Sequence, residues 1–257
     1  LIYGVTVELN ENTPAIIDAI KSLRQKMSVR IVFQDGEPIA SYSGLIKGLR
    51  PYTAMLLGEI LDGTATAKPT VSQYRSRTAN IAQTYPELDT LEIFNEYPGE
   101  WAGALMTEKM TAALEVAEAN GRKSFLTVYY TRPVCQDGNG DMSDYIQAHI
   151  PEATRKRITY VGVSYYEQDC PGNTTPLTKA EWIPIFNRLG SLFPNSTLLF
   201  GERGREKNPL PILKDAYLMR GLHPRFMGGN FWWYFEQQLT PKTKPLWTEL
   251  NNLIALP

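Results

Sequence analysis

The feature that most restricts this chain is a repeated alternation. A short apolar, strand-like run is followed by an amphipathic helical stretch, eight times over. Parallel strands cannot be joined by tight turns and need a crossover of a dozen or more residues, usually a helix. Eight such units in 257 residues average about 32 residues each, and about 250 residues is the usual size of one (β/α)8 barrel. The expected fold is therefore α/β, a single (β/α)8 barrel, with one domain over residues 1–257.

The units read as follows. Ile2 to Glu8 is the first strand, and Thr13-Pro14 gives its helix an N-cap and a proline in the first turn. Strands 2 to 4 are Ser28 to Gln34, Ala54 to Ile60 and Leu88 to Asn95. The helix of strand 2 covers Ser41 to Leu49, and that of strand 3 carries Val71, Tyr74, Thr78, Ile81 and Tyr85 on one face. The next helix, Thr107 to Asn120, stops at Gly121. Strand 5 (Ser124 to Tyr130) precedes a helix from Met142 to Arg157. Strand 6 (Ile158 to Tyr166) precedes one from Thr178 to Phe193, with a kink expected at Pro184. Strand 7 (Thr197 to Glu202) leads to Leu210 to Gly221. Strand 8 (Phe226 to Tyr234) and a helix over Leu246 to Ile254 close the chain. A doubly wound open sheet is the alternative, but it favours a glycine-rich first turn for phosphate. The first turn here is Glu8-Leu9-Asn10-Glu11-Asn12.

Composition removes several function classes. The chain carries 26 Lys+Arg against 27 Asp+Glu with no basic run, so no nucleic-acid partner is expected. Its apolar runs fall short of the roughly 20 residues that span a bilayer, so no membrane-spanning segment is expected. Two histidines, His149 and His223, lie in or beside helices and leave little for a metal site or a Ser/His/Asp set. Cys135 and Cys170 fall just after strands 5 and 6, which are neighbours in a barrel. A disulfide there fits an oxidising compartment, and two buried thiols are the other reading. The start at Leu1, without Met, suits either a mature form left after leader removal or a trimmed chain. The sequons at Asn173 and Asn195 decide nothing.

In a (β/α)8 barrel chemistry sits where strands end and βα loops begin. The polar and aromatic residues at those ends are Glu8, Gln34, Asp35, Glu59, Asn95, Glu96, Tyr130, Tyr166, Glu167, Glu202, Trp232, Trp233, Tyr234 and Glu236. Paired carboxyls among aromatics suit glycoside hydrolysis. One acid protonates the leaving oxygen, a second attacks or stabilises the sugar carbon, and flat sugar faces stack on rings.

These residues carry a resemblance. Leu91-Glu92-Ile93-Phe94-Asn95-Glu96 resembles the strand-4 end of clan A glycoside hydrolases, retaining β-glycosidases and endoglycanases on (β/α)8 barrels. Leu198-Leu199-Phe200-Gly201-Glu202-Arg203-Gly204 resembles the strand-7 end that carries their nucleophile. Ser28-Val29-Arg30-Ile31, Tyr166 and Trp232-Trp233 resemble the clan's supporting arginine, strand-6 tyrosine and strand-8 tryptophan. Tyr97 and Ser164 stand where many members have Pro and His. The resemblance implies catalytic Glu96 (acid/base) and Glu202 (nucleophile). It implies substrate contacts or support from Asn95, Arg30, Tyr166, Trp232 and Trp233, of which period-2 alternation turns only one tryptophan inward. Trp101, in the loop after Glu96, either stacks on a sugar or pins its own loop.

The activity so implied is retaining hydrolysis of a β-linked poly- or oligosaccharide without metal or organic cofactor. Short βα loops favour internal cleavage, and a secreted or extracytoplasmic monomer is expected. The alternatives are an inactive glycan- or protein-binding barrel, a transglycosylase using the same carboxyls, and a metal-dependent barrel hydrolase. Less specific readings of the residues also stand: Glu96 and Glu202 as ordinary loop carboxylates, and Arg30 as an interior ion pair with Glu8 or Glu59.

Overall fold

The structure is a computed structural model that describes residues 1–136, 138–172 and 174–255. Its elements run β1 (Ile2–Glu8), α1 (Thr13–Lys21), β2 (Met27–Val32), α2 (Ser43–Leu49), β3 (Thr53–Glu59), α3 (Val71–Thr84), β4 (Thr90–Tyr97) and α4 (Met106–Ala119). The second half runs β5 (Lys123–Tyr129), α5 (Met142–His149), α6 (Glu152–Arg155), β6 (Tyr160–Tyr165), α7 (Lys179–Leu192), β7 (Thr197–Arg203), α8 (Leu210–Leu218), β8 (Phe226–Trp232) and α9 (Pro245–Leu253). The strands close in sequence order into one parallel barrel, β8 pairing with β1. The expected fold is the observed one.

Strands buried on both faces explain why these segments read as continuous apolar runs rather than alternating ones: all six residues of β2 are buried. Inside the lower barrel, Met55, Leu57, Phe125, Leu199 and Phe231 form one packed layer. Glycines make room for the large rings. A Cβ on Gly4 would sit 2.7 Å from the Phe231 ring, and one on Gly162 would sit 2.6 Å from Phe125. The outer core lies between strands and helices, and sequence signals start several of those helices. Thr70 and Gln73 form a capping box on α3, and Thr178 and Glu181 form one on α7. At the top of the barrel Arg77 of α3 donates to the carbonyls of Ile60 (2.8 Å), Phe33 (2.7 Å) and Gln34 (3.0 Å), pinning the ends of β2 and β3 together.

Three local expectations are corrected. The helix expected over Met142 to Arg157 is two helices, because Pro151 lacks the N–H that would continue α5 and instead begins α6. Helix α1 starts at Thr13 itself, after Asn12, with no side-chain cap. The Thr13 hydroxyl donates to the Asn10 carbonyl instead. Strands 2 and 8 end two residues early, at Val32 and Trp232. Pro184 lies inside α7 as expected.

Cys135 and Cys170 form a disulfide, with Cα atoms 5.5 Å apart, tying the loops after β5 and β6. Among the described residues no helix is long and apolar enough to cross a membrane. Asn195 is exposed, and Asn173 lies outside the described residues.

Candidate active site

The site grows outward from one buried cation. Arg30, in the middle of β2, is fully buried. A guanidinium there must be matched by acceptors from the other strands. Its Nε donates to Glu92 Oε2 (2.6 Å) and its Nη2 to Glu92 Oε1 (3.0 Å), a two-point clasp across to β4. Nη2 also reaches Asn95 Oδ1 (3.0 Å) and lies 3.0 Å from Glu59 Oε2, while Nη1 donates to Glu202. Arg30 is thus both an interior ion pair, with the expected Glu59, and a support for Glu202. Glu8 is not among its partners. The Glu8 N–H and the Asn10 amide instead donate to Glu236, joining the ends of β1 and β8; burial pushes the Glu236 carboxyl up to about 7.

Arg30 faces more acid than one cation can neutralise. Burial opposes its charge, yet Glu59, Glu92 and Glu202 together hold its pKa well above the ordinary arginine value. For the carboxyls the balance runs the other way. Burial raises the pKa of Glu92 despite the clasp, and lifts that of Glu59 well above the usual glutamate range.

Two carboxyls stand above this cluster, each at the end of its strand. Glu202 is 4% exposed on β7. Burial raises its pKa, but the charge of Arg30 and a hydrogen bond from the Tyr166 hydroxyl to Oε1 (2.5 Å) oppose the rise. Glu96, on β4, has less help. The Ser164 hydroxyl donates to its Oε1 (2.6 Å), while burial and then the charge of Glu202 push its pKa well above the glutamate range. The backbone at Glu96 is also unusual, with φ 53°, in the left-handed region that non-glycine residues rarely adopt. Strain of this kind costs on the order of 1–3 kcal/mol and gathers at functional sites. It turns the strand end just where β4 loses register with β5, between Phe94 and Tyr97.

Both carboxyls open into a cleft of about 420 Å³ at the C-terminal end of the barrel. Asp62 and Asp169 add two more acids to its lining, and Trp101, Tyr129, Tyr166, Trp233 and Tyr234 supply the rings. A second concavity, about 470 Å³, opens at the opposite end between Arg50, Glu87, Asp89, Lys123 and Tyr160. Among the described residues no group of three or more His, Cys, Asp or Glu is arranged to hold a metal ion.

The expected site residues divide cleanly. Glu96, Glu202, Tyr166, Trp101 and Trp233 line the cleft, and Arg30 and Asn95 lie beneath it. Trp233 covers Arg30, whose guanidinium carbon is 5.8 Å from the ring centre. Trp101 both faces the cleft and packs edge-on against Tyr129, with centroids 4.6 Å apart. Trp232 is corrected: it is fully buried in the core, and its indole N–H donates to Gln238 (3.1 Å). Period-2 alternation turns only one of the pair to the cleft, and that one is Trp233.

Sequence reasoning passed over Glu92, Asp62, Gln168 and Asp169. Glu92 had a usable signal. A lone acid inside an apolar strand and a lone Arg inside another need each other once both face one interior. The loop residues had none. The four consecutive residues after Tyr166 are each fastened elsewhere. Glu167 accepts from Arg203 (2.9 Å), Gln168 donates to the Tyr234 hydroxyl (3.4 Å), Asp169 accepts from Tyr129 (3.2 Å) and Cys170 is bonded to Cys135.

No protein-family model matches the sequence, and no curated protein does. Solved structures do match in shape. ZgEngAGH5_4, solved in complex with a cellotriose, superposes with a TM-score of 0.68 at 15% identity, over 99% of this chain and 95% of that one. A GH5 broad-specificity endoglucanase from an uncultured bacterium gives 0.64 at 10% identity, over 99% and 94%. A β-mannanase from Thermomonospora fusca gives 0.61 at 16% identity, over 91% and 78%. At such identities the likeness establishes architecture, since one barrel hosts many chemistries. This chain therefore shares the (β/α)8 fold of these enzymes along nearly its whole length.

Proposed function

We propose that this protein is a retaining β-glycoside hydrolase that cleaves β-linked poly- or oligosaccharides internally, by double displacement through Glu96 and Glu202. The observation that carries this reading is the unequal support of the two cleft carboxyls. Glu202 accepts from a guanidinium and a phenol, which favour its ionised form. Glu96 has burial and an acidic neighbour, Glu202, which favour its protonated form, against a single hydrogen bond from the Ser164 hydroxyl. Two carboxyls pushed apart in this way are suited to opposite jobs.

In the first step Glu202 bonds to the anomeric carbon as the glycosidic C–O bond breaks, and Glu96 gives its proton to the departing oxygen. In the second, Glu96 takes a proton from water. That water's oxygen bonds to the anomeric carbon and releases Glu202, so two inversions give net retention. Arg30 and Tyr166 hold Glu202 in place, Trp233 takes the sugar face, and Asn95 serves the 2-hydroxyl. Trp101 stacks on a sugar toward the rim. The scheme calls for no cofactor, and a monomer suffices for it because one chain supplies every group. The β-glycan enzymes that share the fold support the substrate class. The Cys135–Cys170 bond supports a secreted or extracytoplasmic setting.

Azide separates the two roles. Glu96→Ala should still react with activated aryl β-glycosides, whose leaving group needs no proton, and azide should speed turnover to a β-glycosyl azide. Glu202→Ala should be inactive until azide fills the space and gives the α-azide. Full activity of Glu202→Ala without azide contradicts the proposal.

A further inference from the structure

Asn95 sits under the cleft, 2% exposed, with both ends of its amide engaged. Its oxygen accepts from Arg30 Nη2 (3.0 Å) and its nitrogen donates to Asp62 Oδ1 (2.9 Å). Arg30 can only donate and an ionised Asp62 can only accept, so the two partners fix which end of the amide is nitrogen. An amide nitrogen carries two hydrogens, and Asp62 uses one.

Asp62 comes from the loop after β3 and lines the cleft. Behind it lies Glu59, fully buried, with neither carboxyl oxygen in a hydrogen bond to a donor of normal geometry. Arg30, 3.0 Å away, divides its charge among Glu59, Glu92 and Glu202. Burial lifts the Glu59 pKa well above the usual glutamate range, and Asp62 is one of the carboxyls that act on it. Arg30 thus joins Glu59 and Asn95, and Asn95 joins Asp62, which leaves one Asn95 amide hydrogen free.

Building on the glycosidase reading above, we infer that Asp62 is a positioning residue for the reaction. By accepting from Asn95 it presents the second amide hydrogen to the sugar 2-hydroxyl. Asp62→Ala releases that nitrogen and lets the amide turn. A lost alignment of this kind costs about 100-fold in kcat. Asp62→Asn keeps an acceptor oxygen and should return activity to within about tenfold of wild type.

The kinetic test compares aryl β-glycosides with their 2-deoxy counterparts. Asp62→Ala should lose kcat on the first and differ from wild type by less than about threefold on the second. Equal losses on both substrates, or an Asp62→Asn variant as poor as Asp62→Ala, overturn the inference. The geometry is read separately, without substrate, from the side-chain amide signals of Asn95 by NMR, assigned through their loss in Asn95→Asp. The hydrogen donated to Asp62 should be shifted and slow to exchange in wild type and Asp62→Asn, and ordinary in Asp62→Ala. Signals unchanged in Asp62→Ala overturn the inference. A wild type inert toward every aryl β-glycoside refutes the glycosidase reading and the catalytic role together, while the NMR result still decides whether Asp62 holds Asn95.

Discussion

Replacing Tyr166 by Phe removes one hydroxyl and leaves the ring. That hydroxyl donates to Glu202 Oε1 at 2.5 Å, in a setting where burial already raises the carboxyl's pKa. A hydrogen bond to a charged group contributes about 1.5–3 kcal/mol net. One pH unit corresponds to about 1.36 kcal/mol. The bond favours ionised Glu202, so its loss makes Glu202 harder to ionise. The acid limb of kcat/KM reports the free enzyme's essential base, which is Glu202 in this mechanism. In Tyr166→Phe that limb should move to higher pH by roughly one to two units, with the thermal midpoint lowered by about 2–4 °C for each kcal/mol lost. The assay is kcat/KM on an aryl β-glycoside from pH 3 to 9. An acid limb that stays in place, or moves to lower pH, refutes the assignment of Tyr166 as the donor that keeps Glu202 ionised.

Three further outcomes follow from the same geometry. Trp233→Ala should lose on the order of 1–3 kcal/mol of sugar stabilisation with little unfolding, while Trp232→Ala should lose about 3–5 kcal/mol of fold stability; equal effects in kinetics and calorimetry contradict the placement of the pair. Opening Cys135–Cys170, which closes a span of 35 residues, should cost up to about 4 kcal/mol in denaturant unfolding. It should also raise KM, because Gln168 and Asp169 stand beside Cys170 in the cleft wall; an unchanged KM removes that link. Glu59 has a folded pKa above its unfolded one, so the stability it contributes is complete below the ordinary glutamate range and is lost as pH rises. Glu59→Gln does not titrate, so its melting midpoint should gain on wild type steadily from about pH 4 to 8. A wild type that stays ahead at pH 8 would instead mean a stabilising Glu59–Arg30 charge pair.

The fold was legible because the alternation of apolar runs and amphipathic stretches survives in every unit, and β1 runs from Ile2 to Glu8 as read. The misreadings were local. Pro151 splits a helix that the apolar spacing joins, and at strand ends the loops decide where pairing stops. Within the site, Arg30, Asn95, Glu96 and Glu202 lie on strands, where position in the chain fixes position in the barrel. Asp62, Gln168 and Asp169 lie on loops, where it does not. Strand 8 shows the limit between these cases. Alternation says that one tryptophan faces the cleft, but the choice depends on the register of β8 against β1, which shifts near Val5.

The central claim, that Glu202 is the nucleophile of a retaining reaction, is tested most directly by the configuration of the first-formed product and the site of the intermediate. Proton NMR of wild-type enzyme mixed with a β-linked oligosaccharide should show the β-anomer before mutarotation. A slow 2-deoxy-2-fluoro β-glycoside should leave one sugar on the enzyme, mapped by peptide mass spectrometry to Glu202. An α-anomer as first product, or a sugar attached to Glu96 instead, would contradict the account.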